Sequence, residues 1–139
     1  MKSPFENANL PWEPRLSYLL AGLEIYDRED TIGDVVRKYN PNISQDRCEI
    51  IEKFVLCSLD YLSYRHRFAL LEVLEVALAD GSYDFSTQFE SDYEECSTIA
   101  WDETEIEDPR GFFEDIYRLA CAKWKDDLQR AALEDQSTW

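Results

Sequence analysis

Residues 44–80 read SQDRCEIIEKFVLCSLDYLSYRHRFALLEVLEVALAD, and their apolar positions recur at spacings of three and four. Cys48, Ile51, Val55, Leu59 and Leu62 form one face, widened by Ile50, Phe54 and Cys57, which predicts a central helix. Ser44 is placed to cap its free N–H groups, with Ile43 and Cys48 at the flanking staple positions. The pattern blurs after Ser58 and predicts a break near 60–63. A second helix over 64–79 follows through Phe68, Leu71, Leu74 and Leu78, with Leu70, Val73 and Ala77 alongside. Asp80-Gly81 ends it in the manner of a C-terminal glycine.

Toward the N-terminus, Pro14 suits a first helical turn, and Leu16, Leu19, Leu20, Leu23 and Tyr26 continue it, predicting a helix over 13–29. A shorter one over 31–39 has Thr31 as cap and Val35, Val36 and Tyr39 on one side. Asn40-Pro41-Asn42 stops it, because the residue before proline avoids the α region. Residues 1–10 read as an irregular arm tacked down by Phe5 and Leu10.

Toward the C-terminus, Phe89, Tyr93, Cys96 and Ala100 fit a helix beginning after Ser86, although its Ser, Thr and Asp content is poor for helix. Residues 101–108 read as an acidic loop. Asp108 then caps a last helix with Pro109 at its first position. Phe113, Ile116, Tyr117, Ala120, Trp124 and Leu128 carry it to about residue 133, where Lys123, Lys125 and Arg130 suit the helix dipole. Residues 134–139 read as a loose tail. Six helices with short links predict an all-α, single-domain bundle over 1–139.

A chain of 139 residues, 45% apolar, is long enough to bury a core and too apolar for a disordered acidic tail. No apolar run follows Lys2 as in a signal peptide, and none is long enough to span a bilayer. A formal charge of −16 disfavours anionic membranes and nucleic-acid phosphates. These features predict a cytoplasmic protein that binds neither membrane nor nucleic acid directly. Cys48, Cys57, Cys96 and Cys121 lie far apart at apolar positions and read as buried free thiols. No Cys/His pairing points to zinc.

The charge is not spread evenly. Asp80 to Asp115 hold thirteen carboxylates and one basic residue, Arg110, and so carry twelve of the sixteen net negative charges. Such a segment repels itself, and its field attracts and orients a basic partner. Tyr83, Phe85, Phe89, Tyr93, Trp101, Phe112 and Phe113 are interleaved with the acids. Phe89, Tyr93 and Phe113 read as core; Tyr83 and Trp101, beside loop carboxylates, read as exposed anchors of the kind that dominate interfaces. The candidate partner-binding set is Tyr83, Asp84, Glu90, Asp92, Glu94, Glu95, Trp101, Asp102, Glu103, Glu105, Glu107 and Asp108. The plainer alternative is a solvated face that keeps a helical protein soluble.

Catalytic signatures are missing from the sequence. The one histidine, His66, sits between Arg65 and Arg67 without a tuning partner and reads as a surface or helix-start residue. Nucleophile elbow, phosphate loop and dinucleotide fingerprint are not found. WDETEIED lacks the spacing and central glycine of an EF-hand, and Ser63 stands where a di-iron bundle would need Glu-x-x-His. No catalytic residue, metal or cofactor is expected.

In size, helical make-up and the acid-and-aromatic run over Tyr83–Asp108, the chain resembles the small acidic immunity proteins that bacteria pair with secreted nuclease toxins. The resemblance implies a tight complex with a basic toxin domain whose active site or substrate surface it covers. A nucleic-acid mimic of the phage anti-defence type, or a helical adaptor, are the alternative readings.

Overall fold

The computed structural model describes residues 1–139 except Tyr93, Glu95 and Cys96. Its α-helices are α1 (Asp34–Val36), α2 (Ser44–Ile50), α3 (Tyr64–Ala79), α4 (Pro109–Lys123) and α5 (Lys125–Ala132), joined by 3-10 and π segments. Among the described residues no strand forms; the only sheet-like contacts are isolated bridges pairing Lys2 with Pro11, Glu24 with Ile99 and Asp92 with Ser97. The fold is an all-α bundle around one hydrophobic core, with an acidic loop ahead of the closing helices.

The central rod is α2, continued by the π-helix Ile51–Leu56 and the 3-10 turn Cys57–Leu59. Ile50, Ile51, Val55, Leu56 and Leu59 are buried along it. The wider π turn lines up residues five apart, so both Ile50/Val55 and Ile51/Leu56 face inward. That register turns Cys57 outward: it is exposed, contrary to expectation, and its thiol contacts the Glu52 carbonyl at 3.2 Å. Cys48 and Cys121 are only half-buried. Ser44 is the first helical residue rather than the cap; Ile43 takes the cap position and no side chain caps this end.

The expected helix over 13–29 is a 3-10 helix, Leu16–Leu23. In a 3-10 helix residues three apart eclipse, which sets Leu16 over Leu19 and Leu20 over Leu23, all four buried. It packs on the π segment of the rod. The predicted 31–39 helix begins earlier, as a π turn Glu29–Gly33 running into α1. Thr31 lies inside it and does not cap; its hydroxyl donates to the Arg28 carbonyl at 3.2 Å.

α3 keeps its predicted bounds. Ser63 caps it, accepting from the His66 N–H at 3.4 Å. Gly81 does not adopt the left-handed C-terminal conformation. The chain leaves at Asp80, whose carboxylate accepts from the Ser82 amide at 3.0 Å. α4 starts as expected, with Pro109 in its first turn and the Asp108 carboxylate accepting from the Gly111 amide at 2.9 Å. The predicted single helix to 133 breaks at Trp124, which leaves helical geometry at φ −102°. This bend lays α5 along α3, buries Trp124 and brings Asp127 to Arg67 at 2.5 Å.

The helix expected after Ser86 does not extend to Ala100. Among the described residues of this stretch, the helical structure is a 3-10 turn, Phe85–Phe89. Beyond it the Glu24 carboxylate accepts from the Thr98 amide and from the Ser97 hydroxyl. The Ile25 amide donates to the Thr98 carbonyl at 2.7 Å, and the Ala100 amide to the Leu23 carbonyl at 2.9 Å. Those bonds take backbone groups that a helix would need. Of the predicted helical face, Tyr93 and Cys96 lie outside the described residues.

Both termini are fastened. The Ser3 amide donates to the Leu10 carbonyl at 2.9 Å and the Trp12 amide to the Met1 carbonyl at 2.8 Å. His66 lies at the start of α3, as expected, but is buried rather than at the surface, with Nε2 2.7 Å from the Lys2 carbonyl and Nδ1 2.6 Å from the Ser63 hydroxyl. Phe5 stacks on Tyr61 at 5.3 Å, although both rings remain largely exposed. The tail is not loose: Glu134 pairs with Arg65 at 2.9 Å, and the Trp139 ring meets Phe68 edge-on at 5.7 Å.

Candidate functional site

The described residues between Asp80 and Asp108 form a ribbon on the bundle, held by apolar residues that point inward. Phe85 and Phe89 are buried against the α4 pair Phe112 and Phe113, with ring centroids 4.9 Å apart for Phe85–Phe113 and 5.5 Å for Phe89–Phe112. Ile99, Ala100, Trp101 and Ile106 enter the same core. Most of the described acids between them are left outside.

Trp101 is therefore not an exposed anchor. It is 6% exposed, because the pairing of residues 97–100 with 23–25 carries the chain into the core just before it. Tyr83 is half-buried: its ring sits on Phe85 at 4.8 Å and its hydroxyl accepts from Gln88 Nε2 at 2.8 Å. Glu95 lies outside the described residues. Asp84, Glu90, Asp92, Glu94, Glu103, Glu105, Glu107 and Asp108 are exposed, and Asp102 is half-buried.

Two local devices fix this display. Asp84 and Asp102 each fold the chain back on their own carboxylate. Asp84 accepts from the Ser86 hydroxyl at 2.6 Å and its amide at 3.0 Å; Asp102 accepts from the Thr104 hydroxyl at 2.5 Å and its amide at 2.9 Å. These bonds, the hydroxyl first, hold both carboxyls below the usual carboxylate range, so the charge persists into mildly acidic solution. The second device is Asn42. Its side chain donates to the Glu105 carbonyl at 2.9 Å and accepts from the Glu107 amide at 3.0 Å, pinning the acidic loop to the turn after α1.

Ion pairing is concentrated elsewhere. Arg47 and Arg118 meet Asp115, Lys53 meets Glu49, Arg65 meets Glu134, Arg67 meets Asp60 and Asp127, and Lys123 meets Asp60. Among the described residues no lysine or arginine lies within ion-pair distance of Asp84, Glu90, Glu94, Asp102, Glu103, Glu105, Glu107 or Asp108. Arg110, the one cation of the stretch, is spent on backbone. It donates to the carbonyls of Leu78 at 3.1 Å, Asp80 at 2.9 Å and Tyr83 at 3.0 Å, with its guanidinium over the Phe85 ring at 4.9 Å.

Arg110 thus ties the end of α3 to the start of α4, a role its sequence position does not advertise. Arg110→Ala should cost about 2 kcal/mol, since bonds to a charged donor are worth roughly 1.5–3 kcal/mol each and the freed carbonyls regain water in part. Amide exchange at Ser82–Phe85 should quicken in the same variant. A urea midpoint equal to wild type would show that these bonds merely replace water.

No three histidine, cysteine or acidic side chains converge on a possible metal position among the described residues. Nor is any described helix long and apolar enough to cross a membrane. No protein-family model, curated protein or solved structure matches the chain.

Proposed function

We propose that the chain is a non-catalytic binding protein whose acidic ribbon receives a basic protein partner, as an immunity protein receives a nuclease-type toxin domain. What carries this reading is the set of eight carboxylates between Asp84 and Asp108 that, among the described residues, have no lysine or arginine within ion-pair distance, in a stretch whose one cation, Arg110, is taken up by backbone carbonyls. Their mutual repulsion costs stability and is relieved when a basic surface arrives. A nuclease surface is basic because it must attract phosphates. The inward aromatics also support a second reading, the nucleic-acid mimic, since they leave a face of fixed carboxylates without an apolar anchor.

The test begins with the protein that co-purifies from the native host and measures association by stopped flow at several salt concentrations. Replacing Asp102, Glu103, Glu105 and Glu107 together by Asn or Gln should slow association roughly tenfold at low salt and flatten its salt dependence. Each exposed charge alone should matter little. Wild-type rate and salt slope in the quadruple variant would reduce the ribbon to a solvated surface. Displacement of the partner by duplex DNA would favour the mimic.

A further inference from the structure

α3 is apolar on more sides than the core uses. Leu70, Leu71, Leu74 and Ala77 are buried, yet Val76 is 71% exposed and Ala79 is also at the surface. With Ala69, Val73 and Pro14 they line an open groove of about 700 Å³. An apolar stripe on a helix is ordinarily buried against another element, and among the described residues no element covers this one, which runs between Glu72 and Glu75.

Charge says what kind of element would cover it. Glu72 and Glu75 border the groove, and among the described residues neither has a lysine or arginine within ion-pair distance. Arg15, next to Pro14 in the chain, belongs to a separate hollow with Trp12 and Tyr18. At its far end Ala79 leads straight into Asp80 and the acidic ribbon, where Arg110 holds the backbone. The lining from Ala69 to Ala79 spans roughly 15 Å of helix, room for a two- to three-turn helix laid alongside.

We propose that this groove docks an amphipathic helix with an apolar stripe and basic flanks. The proposal rests on the reading of the chain as a binder of a basic protein, and it places the apolar part of that contact on α3. Such grooves take side chains at i, i+3 or i+4 and i+7. A second copy of the chain is the wrong occupant: pairing α3 with itself would set Glu72 and Glu75 of one copy against those of the other, between molecules of charge −16.

The probe is a dye-labelled 18-residue helical peptide with leucine at i, i+3, i+4 and i+7 and lysine elsewhere, beside a scrambled peptide of equal charge. Titrated with the full chain and read by fluorescence anisotropy, the striped peptide should bind at least about tenfold more tightly than the scrambled one. Val76→Asp adds a negative charge at an exposed site, so charge attraction alone would strengthen binding. Docking in the groove predicts the reverse, a loss of about tenfold or more, with the helical circular dichroism kept. Ala79→Asp gives the same readout at a second exposed position. Equal binding of the two peptides, or unchanged or tighter binding by both Asp variants, overturns the proposal. So does a wild-type dimer in sedimentation that Val76→Asp dissociates, which would assign the groove to a second copy. The ribbon variant with four neutralised acids separates the two ideas: it should keep its preference for the striped over the scrambled peptide whether or not it associates normally with the basic partner.

Discussion

Trp101→Ala should lower the free energy of unfolding by about 3–5 kcal/mol, the usual cost of deleting a buried aromatic. The side chain is 6% exposed and belongs to the core together with Ile99, Ala100 and Ile106. Its removal opens a cavity under the ribbon and leaves the loop to Asp108 anchored by Ile106 and the Asn42 bonds. Against the 5–15 kcal/mol typical of a domain, the variant would be close to marginal. Urea unfolding followed by circular dichroism measures it directly. An exposed interface anchor would behave oppositely, with stability unchanged and only dissociation from the partner accelerated. A midpoint within error of wild type would therefore contradict the buried placement of this tryptophan.

That contrast marks where the sequence could be read and where it could not. α3 and α4 were legible because their determinants are local: apolar residues at spacings of three and four, and an Asp108-Pro109 start that caps and begins a helix in adjacent positions. The concentration of charge in 80–108 was equally plain: among the described residues seven of its carboxylates stand exposed, and Asp102 half-buried, without a lysine or arginine in ion-pair distance. Phe89 and Phe113 were legible as core and are buried, but the direction of Trp101 was not legible. Trp101 and Phe85 sit among acids in sequence, and which side of the ribbon faces the core depends on contacts made from far away.

The same holds for the segment after Phe89. Phe89, Tyr93, Cys96 and Ala100 match helical spacing, but the Glu24 carboxylate, more than seventy residues away in sequence, claims the Ser97 hydroxyl and the Thr98 amide. Local propensity there was already weak, so a few distant hydrogen bonds decide the outcome. The tail is a similar case, held by a Glu134–Arg65 pair across 69 residues. The exposed face of α3 did leave a signal: Val73 and Val76 widen its apolar surface beyond what one buried stripe requires.

Gly22→Ala should be as damaging as many core deletions, although it adds only a methyl group. A Cβ at this position would lie 1.9 Å from the Phe54 carbonyl oxygen, 2.9 Å from its carbon and 2.8 Å from the Ser58 hydroxyl. The first two are backbone atoms of the central rod and cannot swing aside as a flexible side chain would. Relief requires the 3-10 helix Leu16–Leu23 to move away from Ile51–Leu56, and that movement opens the contact burying Leu19, Leu20, Val55 and Leu56. Overpacking of this kind costs about 3 kcal/mol at the upper end of its usual range, which in a chain of this size lowers Tm by roughly 10 °C. Gly33→Ala is the internal control. Its Cβ would meet nothing nearer than the Arg28 carbonyl oxygen at 3.5 Å, an ordinary contact, and neither glycine has a positive φ that alanine would resist. Restricting the unfolded chain should then leave Gly33→Ala neutral or more stable by up to about 1 kcal/mol. Thermal unfolding of the two variants beside wild type decides the matter: equal midpoints for Gly22→Ala and Gly33→Ala would mean that the 3-10 helix does not sit on the rod as closely as the Phe54 carbonyl requires.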